Sequence, residues 1–139
     1  MDLRNRTIHA RVVLLGLEEG LAAELGSVLK SQEHTVIAEP YHQPSECPRL
    51  LRKVGADIVF CPAERGRYLA LLKALERDSE APPPVIVVSR TPEVADWLDA
   101  MEAGASDYCT APFEPTHIAW ILQSNVRQEP GTVLHRTAG

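Results

Sequence analysis

Aromatic side chains are scarce in this chain, at 5% of 139 residues, so the 45% of the sequence that is apolar is mainly aliphatic. That composition, with 24% charged residues, is ordinary for a globular protein and gives no reason to expect disorder over its bulk. An excess of positive charge is also missing. The net charge is −5, and Lys and Arg are scattered apart from an N-terminal pair at Arg4 and Arg6, which excludes an electrostatic footprint for a nucleic-acid backbone. Cysteine is limited to Cys47, Cys61 and Cys109, with no CxxC pair and no zinc spacing. An odd count of this kind without a secretion signal points to reduced thiols in a cytosolic setting. No apolar run approaches the length of a membrane span, and the N-terminus has no hydrophobic signal core, so the expectation is a soluble cytoplasmic protein with no membrane partner. At this length one domain suffices, burying about two-thirds of its unfolded surface.

What is present is an alternation. Residues 11–16 (RVVLLG) form a continuous apolar run, the pattern of a strand covered on both faces. Leu21, Ala22, Leu25, Val28 and Leu29 then recur at helical spacing. Residues 34–38 (HTVIA) read as a second strand, followed by a loop and a short helix carrying Leu50, Leu51 and Val54, with Pro48 fitting only in its first turn. Residues 57–61 (DIVFC) read as a third strand stopped by Pro62, and 68–75 as a helix from whose stripe Leu71 falls partly off. The β-branched run at 85–89 (VIVVS) reads as a fourth strand. Thr91, Pro92 and Glu93 carry a helix-start signature, with Thr91 as N-cap and Val94, Trp97, Leu98 and Met101 as the inward face. After a strand at 108–110, Ile118, Ile121 and Leu122 mark the core face of a last helix. Residues 1–10 and 128–139 are expected to be flexible ends around a domain over 11–127. Five strands alternating with five helices imply right-handed crossovers and a mostly parallel α/β sheet with helices on both sides.

The stretch MEAGASDYCTAPF over 101–113 compresses a helix end, a left-handed Gly104, a short strand and an X-Pro stop into one signal. It resembles the end of the receiver domain of two-component response regulators, where A-L-E-A-G-A-D-D-Y-L-x-K-P-F joins the fourth helix, fifth strand and fifth helix. The resemblance extends over about 11–126 and implies a flavodoxin-like doubly wound (βα)5 fold, five-stranded and parallel, with strand order 2-1-3-4-5. It also implies where phosphoryl chemistry belongs: an acidic pair after the first strand for Mg²⁺, an Asp at the end of the third, a hydroxyl at the end of the fourth, and a Lys ahead of Pro. A hard cation needs oxygen ligands, and the transferred group needs a carboxylate nucleophile with positive charge around its oxygens.

Residue by residue, those groups are missing. Gly16 and Leu17 stand where the acidic pair belongs, with Glu18 on the next position. Pro62 falls at the phosphoacceptor position, replacing the Asp, with Cys61 just before it, and Ala111 replaces the Lys. Only Ser89 retains its family identity, and it is auxiliary. Tyr108 matches the family's switch aromatic and Pro112 the Pro after the Lys, often joined through a cis bond. The resemblance therefore implies a degenerate, non-enzymatic receiver with no metal and no cofactor, acting on a protein partner: a regulator, an output domain or itself as a homodimer. Trp120 falls on the polar side of the last helix, within the family's output face, and is a candidate anchor.

Two rival readings stay open. A register shift around Glu18, Glu19 and Glu64 would restore a conventional Mg²⁺-dependent receiver. Alternatively, Cys61, Ser89 and Arg90 could form a small-ligand or redox sensor at the sheet edge, against which stands the ordinary role of a strand Cys as a small buried hydrophobe. His42 and His117 lie on no metal-ligand spacing.

Overall fold

Strand β1, Arg11–Leu15, shows how an all-apolar run divides between two cores. Alternate residues of a strand point to opposite faces, so Val12 and Leu14 enter one cluster while Val13 and Leu15 enter another. The computed structural model describes residues 8–126, and throughout them the same division recurs. After β1 come α1 (Glu19–Ser31), β2 (Thr35–Glu39), a 3-10 turn (Pro44–Glu46) leading into α2 (Cys47–Val54), β3 (Ile58–Pro62) and α3 (Arg65–Asp78). They are followed by β4 (Val85–Ser89), α4 (Val94–Ala103), β5 (Asp107–Thr110) and α5 (Pro115–Asn125). All pairings are parallel and the order is β2-β1-β3-β4-β5, the expected doubly wound arrangement.

On one face α1 and α5 bring Leu21, Leu25, Leu29, Ile118, Ile121 and Leu122 against Val12, Leu14, Ile58, Phe60 and Ile86. On the other, Leu51 of α2 and Tyr68, Leu71 and Leu75 of α3 cover Val13, Val59, Cys61 and Val87. Burying each of these large aliphatic side chains stabilises the fold by about 1.5–3 kcal/mol. Leu71 lies on the α3 stripe after all, since positions 68, 71 and 75 share one helical face.

Three expectations are corrected. Pro62 is the last residue of β3 instead of its stop; Val59 and Ala63 donate to Pro84 O and Val88 O on the β4 side, so by alternation the Pro62 nitrogen faces β1, where pairing has already ended at Leu14 and Phe60 and no donor is needed. Thr91 does not cap α4, which begins at Val94 after Glu93 with no side-chain cap. Its backbone is already held by Ser89, as described below. The largest correction concerns α4 itself. Val94, Trp97, Leu98 and Met101 do form one stripe, but it faces outward, with Val94 69% and Leu98 50% exposed, while Ala100 is fully buried. Three helices share this face of the sheet where two cover the other, so α4 is pushed to the rim and packs through its small residues Ala100 and Ala103.

Gly104 closes α4 at φ 112°, and Ala105 N–H donates back to Ala100 O, so the chain turns into β5 with a minimal loop as the sequence requires. Ahead of β1, Ala10 is buried and its N–H donates to His34 Nδ1 at 3.0 Å. Residues 1–7 and 127–139, which hold most of the ends expected to be flexible, lie outside the described residues.

Candidate functional site

In an open parallel sheet the loops after the strands converge at the carboxyl edge, beside the point where the strand order reverses. Here that point lies between β1 and β3, and the loops after β1, β3, β4 and β5 carry the residues singled out from sequence. Gly16 follows β1 with φ 71° and donates its N–H to Glu39 O at 2.8 Å, so the chain turns sharply there beside Tyr41. Leu17 packs partly against the α1/α5 core, which leaves Glu18 as the first carboxylate of this loop to face water.

Glu18 is not free. Arg90, the residue after β4, donates from Nε and from a terminal guanidinium nitrogen to Glu18 Oε1 at 3.1 and 2.9 Å, and lies 3.7 Å from Glu24 of α1. These bonds from Glu18 raise the already high pKa of the guanidinium, so it stays charged. Because β3 lies between β1 and β4, Arg90 bridges the two loops that flank the end of β3. A Cβ on Gly20 would come within 3.0 Å of that guanidinium, so this glycine leaves room for the bridge.

At the end of β3 itself stand Cys61 and Pro62, and neither offers an oxygen ligand or a carboxylate nucleophile. The Cys61 side chain points into the α2/α3 core, where burial, reinforced by the nearby Cys47, pushes its thiol up to about 12. Burial and then Asp107 do the same to Cys109, also to about 12. Both thiols are protonated at neutral pH, and their nucleophilic form is suppressed.

Ser89 ends β4, but its hydroxyl is committed locally. It donates to Thr91 O at 2.7 Å and accepts from Thr91 N–H at 3.1 Å, so it organises its own turn. Ala111 follows β5, its N–H donating to Ser89 O at 3.0 Å, and its methyl packs on the α1/α5 core where a longer cationic side chain would cross the edge. The Ala111–Pro112 peptide is cis. Among the described residues no three His, Cys, Asp or Glu side chains come together as a metal cage. Asp57 immediately precedes β3, at the opposite end of the sheet, and accepts from Arg11 N–H at 2.8 Å.

A second region is better formed. Between α4 and α5, over β5, runs a groove of about 390 Å³ lined by Val94, Trp97, Tyr108, Pro112 and His117, with Glu93 and Glu114 at its margin. Tyr108 is turned inward, its ring in the α2/α3 core and its hydroxyl buried without a hydrogen-bond partner among the described residues. Trp120, 57% exposed, stacks on His117 with ring centroids 6.5 Å apart and so extends the groove's apolar wall along α5. Tyr108, Pro112 and Trp120 are thus brought to one region, while Gly16, Glu18, Pro62, Ser89 and Ala111 line the carboxyl edge. Sequence reasoning missed the Glu18–Arg90–Glu24 bridge and the outward α4 stripe. The first had a legible hint, since an Arg directly after one strand and a Glu just after another end up on a common edge in this topology; the second had none.

No protein-family model matches the chain, and no curated protein matches it. Solved structures do. The beryllofluoride-activated receiver domain of RstA from Klebsiella pneumoniae is 17% identical, with 85% of this chain and 99% of that one covered at a TM-score of 0.68. A response regulator from Thermotoga maritima is 20% identical, with 84% and 97% covered at 0.69. The beryllofluoride-activated NtrC4 receiver domain, solved as a dimer, is 16% identical, with 82% and 93% covered at 0.65. With element order and strand order both in place, the chain has the fold of a response-regulator receiver domain.

Proposed function

We propose that this chain is an atypical receiver domain that takes part in two-component signal transduction through protein–protein contact and accepts no phosphoryl group at the end of β3. The observation that carries the reading is the make-up of the carboxyl edge. Pro62 ends β3, Cys61 is buried beneath it, and Arg90 and Glu18 neutralise each other across it. Phosphoryl transfer to a side chain needs a carboxylate nucleophile, oxygen ligands for Mg²⁺ and a cation for the developing charge. At this edge Glu18, the first carboxylate after β1, is spent on Arg90, the cation that follows β4. Glu64, the other acid near the end of β3, precedes α3 and pairs with Arg67 at 3.0 Å.

The surface that remains for signalling is the α4–β5–α5 side, where the exposed stripe of α4, the groove and Trp120 lie together. Incubation with acetyl phosphate and Mg²⁺ followed by intact-mass measurement tests the proposal: an unchanged mass is expected, and an aspartyl- or glutamyl-phosphate adduct would refute it. A millimolar Mg²⁺ titration read by tryptophan fluorescence checks the conventional-receiver alternative, for which a saturable change is the signature.

A further inference from the structure

The α4–β5–α5 side combines two properties. It is apolar at its centre: Val94, Trp97, Leu98 and Met101 repeat at helical spacing and are 37–69% exposed, and Trp120, stacked on the groove residue His117, adds to the wall on α5. It is also acidic. Between positions 91 and 126 the chain carries six carboxylates, Glu93, Asp96, Asp99, Glu102, Asp107 and Glu114, and no Lys or Arg. Among the described residues the only ion pair reaching α4 is Arg65 with Asp99, at 3.6 Å. On the helical wheel Asp99 lies well away from the exposed stripe, whereas Glu102 flanks Leu98 and Glu93 flanks Trp97. Glu93 and Glu114 also border the groove.

A twofold dimer through this side would place the patch on itself, because a twofold interface is isologous. Glu93, Glu102 and Glu114 would then meet only apolar or acidic groups from positions 91–126 of the other copy, with no Lys or Arg among them, and burying carboxylates without a cation is unfavourable in a desolvating interface. From this charge pattern we propose that the occupant is a different chain: a cationic amphipathic segment that seats apolar side chains on the α4 stripe and in the groove and sets Lys or Arg against Glu93, Glu102 and Glu114. Helix-in-groove recognition has this form, with anchors at i, i+3 and i+4 and charge at the rim. The inference rests on the proposed interaction role and names the chemistry of the partner.

Both tryptophans of the chain, Trp97 and Trp120, lie on this surface, so intrinsic fluorescence reads it directly. The 139-residue chain is titrated with a Leu/Lys amphipathic helical peptide and with its Leu/Glu counterpart. A saturable blue shift with the first alone is expected, and it should weaken by about tenfold or more in the Glu93→Lys/Glu102→Lys variant, the equivalent of about 1.4 kcal/mol. The Glu76→Lys/Glu80→Lys variant, with the same change of net charge in the last turn of α3 and the loop after it, should bind as the parent does. Val94→Ser/Leu98→Ser should lose binding with its charge intact. Equal weakening by the two charge-reversed variants, no saturable shift, or tryptophans already shielded from acrylamide before any peptide is added would overturn the proposal. So would concentration-dependent dimerisation that Glu102→Lys abolishes, since that would make a second copy the occupant. Each of these outcomes is independent of the acetyl phosphate result, so the partner's charge and the loss of phosphotransfer can fail separately.

Discussion

Cys61 and His34 show what burial does to single titratable groups in this protein. All three cysteines are buried, and burial followed by neighbouring negative charge, from Glu46 in the case of Cys47, raises their pKa values. A thiol-reactive disulfide reagent should therefore modify native protein far more slowly than it modifies free cysteine, and release the full three equivalents only after denaturation. Rapid reaction of a single native thiol would revive a redox role for Cys61. His34 moves the other way. Its ring is buried, Nδ1 accepts the Ala10 N–H, and desolvation, then the nearby His9, lowers its pKa below the ordinary histidine value of 6.5. Between the folded value and 6.5 the unfolded chain binds the extra proton, so this contribution is complete above 6.5 and is lost as pH falls toward the folded value. Thermal melts taken downward through that window should show Tm falling, and the slope should flatten in His34→Asn, whose amide oxygen can still accept from Ala10.

At the scale of elements, α4 is the unusual one. Its neighbours bury broad aliphatic faces, whereas α4 holds to the sheet by Ala100 and Ala103 and leaves its large residues outside. Substitutions there should invert the ordinary expectation. Ala100→Leu would force new methyl groups into a fully closed contact and should destabilise by about 1–3 kcal/mol. Leu98→Ser, at a half-exposed position, should shift chemical denaturation by only about 0.5 kcal/mol or less. If the two variants denatured in the reverse order, the outward orientation of the stripe would be wrong. The sequence pattern identified the stripe because helical periodicity is local. It could not orient it, because orientation depends on how three helices divide one face of a five-stranded sheet. The Thr91 signature failed for a related reason: a hydroxyl two residues upstream, on Ser89, claimed the turn before the helix began.

The whole molecule has two cores on one sheet. Leu25, in the α1/α5 core, and Leu75, in the α2/α3 core, touch opposite faces of the same five strands. Since each strand contributes alternate residues to both cores, neither can persist once the sheet is lost, and unfolding should be one cooperative transition. Leu25→Ala and Leu75→Ala should each cost about 2–5 kcal/mol. Both should shift the same transition, and their effects should add to within about 0.5 kcal/mol, as sites without shared partners do. Two separable transitions in either variant would contradict the shared-sheet account. The alternation of strands and helices, the left-handed turn at Gly104 and the absence of a carboxylate at Pro62 or an ammonium at Ala111 were all determined by the sequence alone, because periodicity, glycine's backbone freedom and side-chain identity are properties of short stretches. The pairing of Arg90 with Glu18, the commitment of the Ser89 hydroxyl, the inward burial of Cys61 and the outward face of α4 were decided only by tertiary structure. Each depends on which distant groups the packed sheet brings within reach, and that is a matter of three-dimensional placement instead of spacing along the chain.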